Sequence, residues 1–327
     1  MTAQTQTASS LAVTRAPSVS VIIPAYMVAP YIAATLDSVL AQSFKDYEVI
    51  VVNDGSPDTA ELERALAPYL ERITYVRQEN RGAGAARNNG LRRARGRYVA
   101  FLDGDDLWLP DFLSEMVALV ESEGGYDLVY ADAMLFGDSP LAGTKYTDTC
   151  PSVGAVTLES LLAERCHVIT SGVLARREPI MEVGLFDESL KNSQDFDLWA
   201  RLAKRPGARM TYSARVLLRH RKHRTSLSAS SINSVGGGLL KVFDKISRRD
   251  DLTPGERQAL EQTVALRSAS VELERGKARL LDGDFTAAAS SIAAANDYFR
   301  SRKLRLILFW LRVAPRLLQR LYKLRVT

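Results

Sequence analysis

The stretch Tyr47-Glu-Val-Ile-Val-Val-Asn-Asp-Gly-Ser56 decides the fold class. It is an apolar run rich in β-branched residues, which is typical of a buried parallel strand, and it is closed by turn-forming residues. A similar run, Val19 to Ile23, comes before it and ends at Pro24. The segment between the two runs, about residues 31–42, is amphipathic and predicts a helix. Strand, helix and strand in this order are typical of a parallel sheet covered by helices.

The same alternation continues beyond this stretch. The sequence predicts helices over Asp58 to Leu70 and Ala83 to Ala94, and strands over Ile73 to Arg77 and Tyr98 to Leu102. Four strands that alternate with helices predict an α/β fold with a mostly parallel sheet flanked by helices. Later patterns are less regular: strands over Leu128 to Ala131 and Gly172 to Ala175, a helix over Gln194 to Ala203, and helices from about Gly236 to the end.

Small and polar residues follow each predicted strand. They are Pro24-Ala25-Tyr26, Asn53-Asp54-Gly55, Asn80-Arg81-Gly82 and Asp103-Gly104-Asp105-Asp106. Ligands of parallel sheets bind beyond the carboxyl ends of the strands, so we expect a cleft there. Three carboxylates within four residues repel one another unless a cation lies between them, and Mg²⁺ or Mn²⁺ prefers such oxygen ligands. The alternative is a simple turn, because Asp and Gly are turn formers.

Seven segments in order carry a resemblance to a known family. They are Val19–Tyr26, Val51–Asp58, Glu79–Asn88, Phe101–Trp108, Val183–Asp187, Gln194–Arg201 and Arg221–Ser228. On these segments the chain resembles the family 2 glycosyltransferases, which have the GT-A fold of nucleotide-diphospho-sugar transferases. The resemblance covers about residues 18–228 and implies an inverting transfer from a nucleotide-diphosphate sugar, with UDP as the favoured nucleotide; a glycan or lipid-linked hydroxyl is the expected acceptor if the C-terminal helix described below binds a membrane.

The resemblance also implies residue roles. Donor binding falls to Pro24, Ala25, Tyr26, Asp54, Arg87, Asp103 and Gly104, with the Tyr26 ring against the base and Asp103 facing the ribose. Asp105 would ligate Mn²⁺ or Mg²⁺, His223 would approach the diphosphate or the metal, and Asp195 would be the catalytic base. The chain departs from the family at Met27, where Asn is usual, and at Gln194, where Glu is usual.

The chemistry of the transfer calls for such residues independently. A base must deprotonate the acceptor hydroxyl while its oxygen attacks the anomeric carbon, and a divalent metal offsets the charge of the leaving diphosphate. Asp195 is the candidate base, and the alternative is a helix N-cap. His223 is favoured over His220, and the basic stretch from Arg219 to Arg224 offers a metal-free way to bind phosphate.

The basic charge of the chain is concentrated at its C-terminal end. Residues 301–327 contain eight Lys or Arg and no acid, so the remaining residues carry −3 of a total of +5 and no nucleic-acid partner is expected. Five of these cations form one stripe opposite an apolar face with Trp310, and Pro315 breaks this helix or begins another. Such a helix suits an anionic membrane surface, or its apolar face covers the catalytic domain.

We therefore expect a disordered leader at 1–17, a GT-A domain at 18–230 and a helical region at 231–327. No stretch is long and apolar enough for a transmembrane helix, and two cysteines fit a reducing compartment. The expected location is the cytoplasm, with the membrane interpretation placing the chain at the inner face. Two competing functions are a non-catalytic scaffold, which has no need of a base, and a sugar-nucleotide nucleotidyltransferase, whose Gly-rich triphosphate loop is missing near the first strand.

Overall fold

The protein is described here from a computed structural model, in residues 15–223 and 237–326. The predicted leader up to residue 14, and most of the boundary segment 228–238, lie outside these residues. The N-terminal part forms one mixed sheet covered by helices, and the rest is helical, as predicted.

Eight strands form the sheet. They are β1 (Val19–Ala25), β2 (Tyr47–Asp54), β3 (Thr74–Gln78), β4 (Tyr98–Phe101), β5 (Leu107–Trp108), β6 (Leu128–Gly137), β7 (Val173–Arg176) and β8 (Met210–Lys222). Their order across the sheet is β3-β2-β1-β4-β7-β6-β8-β5. The first four strands in the sequence are parallel to one another. β7 runs antiparallel to both β4 and β6, and β6 is parallel to β8.

Seven helices belong to the sheet-containing part. They are α1 (Ile32–Leu40), α2 (Thr59–Leu66), α3 (Ala83–Arg93), α4 (Phe112–Glu121), α5 (Leu158–Leu162), α6 (Arg177–Glu182) and α7 (Gln194–Ala203). The predicted helix over Gln194 to Ala203 coincides with α7.

Sequence reasoning missed α4 and β8. β8 carries too many cations for an apolar run, yet Arg219 and Arg221 both stack on Phe136 at 4.4 Å.

Each face of the sheet carries its own hydrophobic core. Alternate residues of the central strands divide between the two faces, as the two-residue period of a strand requires. Val21, Val51 and Ala100 point to one core, and Ile22, Ile50 and Val99 point to the other. All of these side chains are almost completely buried. Because both faces are covered, the central strands contain apolar runs, which is why they were recognisable in the sequence.

Five helices lie within residues 237–326, the described part of the C-terminal region. They are α8 (Gly237–Ser247), α9 (Pro254–Asp282), α10 (Phe285–Phe299), α11 (Arg302–Val313) and α12 (Pro315–Val326). α8 and the start of α9 pack on the sheet-containing part through a third cluster, in which Phe243 meets Phe196 edge to face at 5.5 Å. Lys245 of α8 pairs with Asp187 at 2.7 Å and with Asp197 at 2.8 Å. These contacts anchor the helical region to α7.

The last two helices have two apolar faces, not one. Leu304, Leu308 and Leu311 of α11 pack inward on α9 and α10, as does Leu318 of α12. A second set is exposed, from 39% for Trp310 to 77% for Leu324; its members are Leu306, Phe309, Trp310, Val313, Leu317, Leu321 and Leu324. The inward face therefore covers other C-terminal helices and not the catalytic domain, which was one of the two alternatives for this segment. α12 begins at Pro315. Among the described residues, no helix is apolar over a length that would cross a bilayer.

Candidate active site

The expected donor-binding residues lie where β1, β2 and β4 end beside one another. In the parallel register Ala25 lies opposite Asn53, and β4 flanks β1 on its other side. Ala25 is buried, whereas Tyr26 is 43% exposed and its ring is accessible at the strand end. The topology therefore brings the first and second strand-end segments together, as the parallel sheet predicted.

Asp54 holds the third strand-end segment in place. One carboxylate oxygen accepts hydrogen bonds from Gln78 Nε2 at 2.8 Å and from the Arg81 N–H at 2.9 Å. The other accepts from the Gly82 N–H at 2.8 Å. A carboxylate offers about four acceptor positions, so one remains for a ligand. Asp54 therefore shapes the entrance to α3 in addition to any contact with a nucleotide.

The three carboxylates of the Asp103–Asp106 turn have different partners. Asp106 is completely buried; it accepts from the His220 Nδ1 at 2.9 Å and from the Arg221 N–H at 2.7 Å. Burial alone would lower the pKa of the His220 imidazole, but the Asp106 carboxylate outweighs it and raises that pKa. Asp106 and His220 thus fasten β8 to the turn. Neither side chain is placed to receive a ligand.

Asp105 and His223 meet as the sequence predicted. His223 Nε2 lies 2.9 Å from Asp105 Oδ2, and both side chains are mostly buried. Burial, together with the carboxylates of Asp106 and Asp103, raises the pKa of the Asp105 carboxyl to about 6 although His223 opposes the shift. A cation at this position would relieve that repulsion.

The Asp105–His223 pair fits a divalent cation. Two ligands at neighbouring corners of an octahedron with bonds of about 2.1 Å lie roughly 3 Å apart, close to the 2.9 Å between these two atoms. Mg²⁺ and similar ions usually take one or two protein ligands and complete their shell with substrate phosphates and water. No cluster of three or more His, Cys, Asp or Glu side chains suits a metal within the described residues, so oxygens of a substrate would be needed.

Arg87 is fixed beside Asp103. Its Nη2 donates to Asp103 Oδ1 at 2.5 Å, and its guanidinium lies 5.6 Å from the centre of the Phe186 ring. Arg87 Nε is buried and has no partner among the described residues. Asp103 is about one-third exposed. An arginine buried at the edge of a cleft with a free donor suits an anionic ligand.

Asp195 lies in the first turn of α7. Its Oδ2 accepts a hydrogen bond from the Thr170 hydroxyl at 2.9 Å, and Oδ1 accepts from the Phe196 N–H at 2.8 Å. The residue after Thr170 is Ser171, whose hydroxyl accepts from the Asp103 N–H at 3.2 Å. Adjacent Cα atoms are about 3.8 Å apart. Two consecutive residues therefore hold the candidate base and the acidic turn in one site.

Glycines permit the close approaches that this arrangement needs. A Cβ on Gly104 would lie 2.9 Å from Val28 Cγ2 and 3.2 Å from the Pro24 carbonyl oxygen, so the acidic turn rests directly on the end of β1. A Cβ on Gly84 would lie 3.3 Å from Gln194 Cγ. The start of α3 consequently packs on the start of α7, beside Asp195.

The predicted site residues converge on one rim of the sheet. Sequence reasoning missed three supporting residues: Thr170, Ser171 and His220 as the partner of Asp106. The only available signal was the run Thr170-Ser-Gly172 before a predicted strand, which is ordinary turn composition. The sequence left open that the basic stretch from Arg219 to Arg224 binds phosphate without a metal. In the structure the Arg221 side chain of this stretch donates to the Asp105 carbonyl at 2.8 Å and stacks on Tyr31 and Phe136.

Comparison with known proteins agrees with this geometry. The profile of the family described as Glycosyl transferase family 2 matches residues 20–183, just over half of the chain. The chain belongs to glycosyltransferase family 2. Its GT-A-like fold is confirmed.

Proteins of similar sequence are also named glycosyltransferases. The chain is 30% identical over 245 residues to an uncharacterised glycosyltransferase of Rickettsia typhi, across 71% of this chain and 74% of the relative. A second uncharacterised glycosyltransferase, from Rickettsia felis, is 30% identical over 63% of this chain. The match covers only 34% of that relative's length. The amylovoran biosynthesis glycosyltransferase AmsB of Erwinia amylovora is 33% identical to this chain. The match covers 57% of this chain and 64% of the length of AmsB.

Solved structures show the same fold at low identity. The glycosyltransferase aligns with S. aureus TarS 1-349 in complex with UDP-GlcNAc at a TM-score of 0.60 and 20% identity, over 93% of this chain and 90% of that one. It aligns with the mannosyltransferase PcManGT of Pyrobaculum calidifontis, in complex with GDP-Man and Mn²⁺, at a TM-score of 0.58 and 19% identity, over 94% of this chain and 88% of that one. The alignments reach well beyond the profile match, into the C-terminal helices.

Proposed function

We propose that the protein is an inverting glycosyltransferase that moves a sugar from a UDP-sugar to a hydroxyl of a glycan or lipid-linked acceptor. The observation that carries the proposal is the pair Thr170 and Ser171, which joins Asp195 to the turn that begins at Asp103. One carboxylate is thereby held apart from the acidic cluster, in the same site. Base and donor site must be separate but adjacent for a single displacement.

Asp195 performs the proton transfer in this mechanism. Its carboxylate accepts the proton of the acceptor hydroxyl while the oxygen forms a bond to the anomeric carbon. The bond from that carbon to the diphosphate breaks on the opposite face, and its electron pair leaves with the diphosphate, so the configuration inverts. Thr170 and the Phe196 N–H hold both carboxylate oxygens, and this fixes the direction in which the remaining lone pairs point.

The donor side is held by the other residues of the rim. Tyr26 offers an exposed ring to the base, Asp54 retains one acceptor position, and Asp103 with Arg87 forms the edge of the ribose and diphosphate region. Asp105 and His223 would hold Mn²⁺ or Mg²⁺, which when bound offsets the negative charge of the leaving diphosphate. The complexes of TarS with UDP-GlcNAc and of PcManGT with GDP-Man and Mn²⁺ support this assignment by likeness of fold.

Calorimetric titration of UDP, GDP and dTDP, each with and without Mn²⁺, tests the donor assignment. We expect UDP to bind tightest and Asp105→Ala to abolish the dependence on metal. Asp46→Ala serves as the matched control, because Asp46 lies outside the site and bonds to Ser18. Tighter binding of GDP would overturn the nucleotide assignment, and equal binding with and without Mn²⁺ would overturn the metal site. The anomeric configuration of the product, read by NMR, tests inversion.

We also propose that α11 and α12 attach the protein to an anionic membrane surface, with the chain in the cytoplasm at the inner face. Leu306, Phe309 and Val313 form one open stripe on α11, and Leu317 and Leu321 continue it on α12. Eight cations and no acid accompany them in residues 301–327. Exposed apolar residues beside cations suit a lipid surface, whereas a second copy of the same positive surface would be repelled.

Flotation with vesicles of phosphatidylglycerol and phosphatidylcholine tests the membrane proposal. The wild type should float with the anionic vesicles, and the double variant Phe309→Glu with Trp310→Glu should remain at the bottom of the gradient. Leu141→Glu is the control, because Leu141 is an exposed apolar residue of the catalytic part. Flotation of the double variant at the wild-type level, or no flotation of the wild type, would refute the proposal.

A further inference from the structure

A cavity of about 190 Å³ lies beside Asp195. α7 contributes Phe196 and Trp199 to its wall together with Asp195 itself. The C-terminal helices contribute Leu239 of α8 and Arg267 of α9. The candidate base therefore borders a cavity that the sheet-containing part does not enclose alone.

The size of the cavity restricts what it can hold. An apolar cavity of about 150 Å³ is known to accept a benzene ring. The 190 Å³ found here therefore leaves room for one six-membered ring with small substituents, and not for two rings. A single sugar unit meets this limit, whereas a disaccharide would have to extend out of the cavity.

The wall combines aromatic surface with charged hydrogen-bonding groups. Nε and Nη2 of Arg267 both approach Glu164 Oε1 at 2.6 Å, which leaves Glu164 Oε2 and Arg267 Nη1 without a partner among the described residues. Trp199 Nε1 is buried and also has no acceptor among them. Glu164 has a φ of 52°, an uncommon conformation for a residue other than glycine, so the surrounding structure holds it in place at some cost.

Most of the cavity wall is apolar, and the Glu164–Arg267 pair adds charged groups to it, so the wall favours a ligand that carries both hydroxyls and C–H surface. A sugar presents hydroxyls, which pair with a carboxylate oxygen and a guanidinium, and it presents C–H groups, which pack on aromatic rings. An apolar ligand would leave the Glu164–Arg267 pair desolvated without compensation. The chemistry of the wall therefore matches a carbohydrate of the size that the cavity admits.

We propose that this cavity binds the terminal sugar unit of the acceptor and presents one of its hydroxyls to Asp195. The inference rests on the proposed function, because it takes Asp195 as the base. It adds that acceptor recognition depends on Leu239 and Arg267, which lie beyond the segment of residues 20–183 that matches the family profile. The C-terminal helices are then part of the acceptor site as well as a packing support.

Saturation-transfer NMR with a panel of methyl glycosides, in the presence of UDP and Mn²⁺, tests this inference. The panel contains methyl glycosides of the common hexoses and N-acetylhexosamines. Leu239→Trp fills the cavity, and Lys241→Trp adds the same side chain at an exposed position of the same helix. A second variant, Arg267→Met with Glu164→Gln, removes both charges and keeps the approximate volume. Melting temperatures verify that each variant is folded.

We expect at least one glycoside to bind the wild type and Lys241→Trp. Its binding should weaken about tenfold or more in Leu239→Trp, since the indole would occupy the space that the sugar ring needs, and should also weaken in the charge-free variant. UDP affinity, measured on the same samples, should be unchanged. If UDP binds the wild type but no glycoside does, or if Leu239→Trp binds glycosides like the wild type, the acceptor site is refuted. If UDP itself does not bind, the proposed function fails instead.

Discussion

Replacing Thr170 by valine removes one hydroxyl from the site and keeps the shape of the side chain. That hydroxyl donates to Asp195 Oδ2 at 2.9 Å, and the Phe196 N–H is the donor to the other oxygen. A hydrogen bond to a charged group contributes about 1.5–3 kcal/mol. If that energy serves to hold the base toward the acceptor, the turnover number should fall about 10- to 150-fold. The affinity for UDP should not change, because Thr170 does not touch the acidic turn.

The assay compares three variants in steady-state transfer and in UDP titration. Thr170→Ser keeps the hydroxyl and should retain turnover close to that of the wild type. Ser171→Ala removes the acceptor of the Asp103 N–H, so it should weaken UDP binding about fivefold, as expected for a neutral hydrogen bond of about 1 kcal/mol. Turnover of Thr170→Val within twofold of the wild type would refute the positioning of Asp195 by this hydroxyl. Equal losses in Thr170→Val and Thr170→Ser would attribute the effect to packing.

Three further predictions concern backbone strain, acid stability and the acidic turn. Met27 has a φ of 55°, a conformation that Asn adopts more readily, so Met27→Asn should raise the melting temperature by about 1–3 °C. Hydrogen bonds from Lys245 and from the residue Ser189 lower the pKa of the Asp187 carboxyl to about 2. Asp187→Asn should therefore cost about 1 kcal/mol at pH 7, after allowance for the partial exposure of Asp187, and the difference from wild type should shrink as the pH falls from 4 to 2 and vanish below pH 2. Gly104→Ala should weaken UDP binding about tenfold, because its Cβ would displace the acidic turn from β1.

Each of the three has a contradicting outcome. Met181→Asn, at an exposed methionine within α6, should not stabilise the protein, and an equal gain there would remove the strain explanation. A stability difference for Asp187→Asn that stays at its pH 7 value down to pH 2 would show that the ionised carboxylate is not its source. UDP affinity of Gly104→Ala at the wild-type level would show that the acidic turn accommodates the added methyl group without a loss of UDP binding.

The central sheet was predictable because its strands are buried on both faces. β1 and β2 each contain an apolar run, Val21 to Ile23 and Val49 to Val52, and their ends carry turn residues, so both the strands and the polar rim were visible in the sequence. β8 was not predicted, since its cations are compatible with a strand only through contacts made by the fold. Arg219 and Arg221 need the Phe136 ring, and His220 needs Asp106, which is distant in sequence.

The proximity of the candidate site residues was predictable from the sequence, but the residues that support them were not. Asp105 and His223 came from the resemblance, and the structure brings them together. The link between Asp195 and Asp103 through Thr170 and Ser171 had no sequence signal, because it depends on how a short turn packs between α7 and the acidic turn. The cavity beside Asp195 was equally hidden, since its walls come from segments far apart in the chain and meet only when α8 and α9 pack on α7.

The most direct test of the central claim is the comparison of transfer and donor binding in Asp195→Asn. The asparagine keeps the size of the side chain and can accept a hydrogen bond from Thr170, but it cannot take up the acceptor's proton. We predict UDP-sugar affinity within about twofold of the wild type and a turnover reduced by 10²-fold or more, the usual contribution of a general base. Turnover near the wild-type level would show that Asp195 is not the base and would contradict the mechanism proposed here.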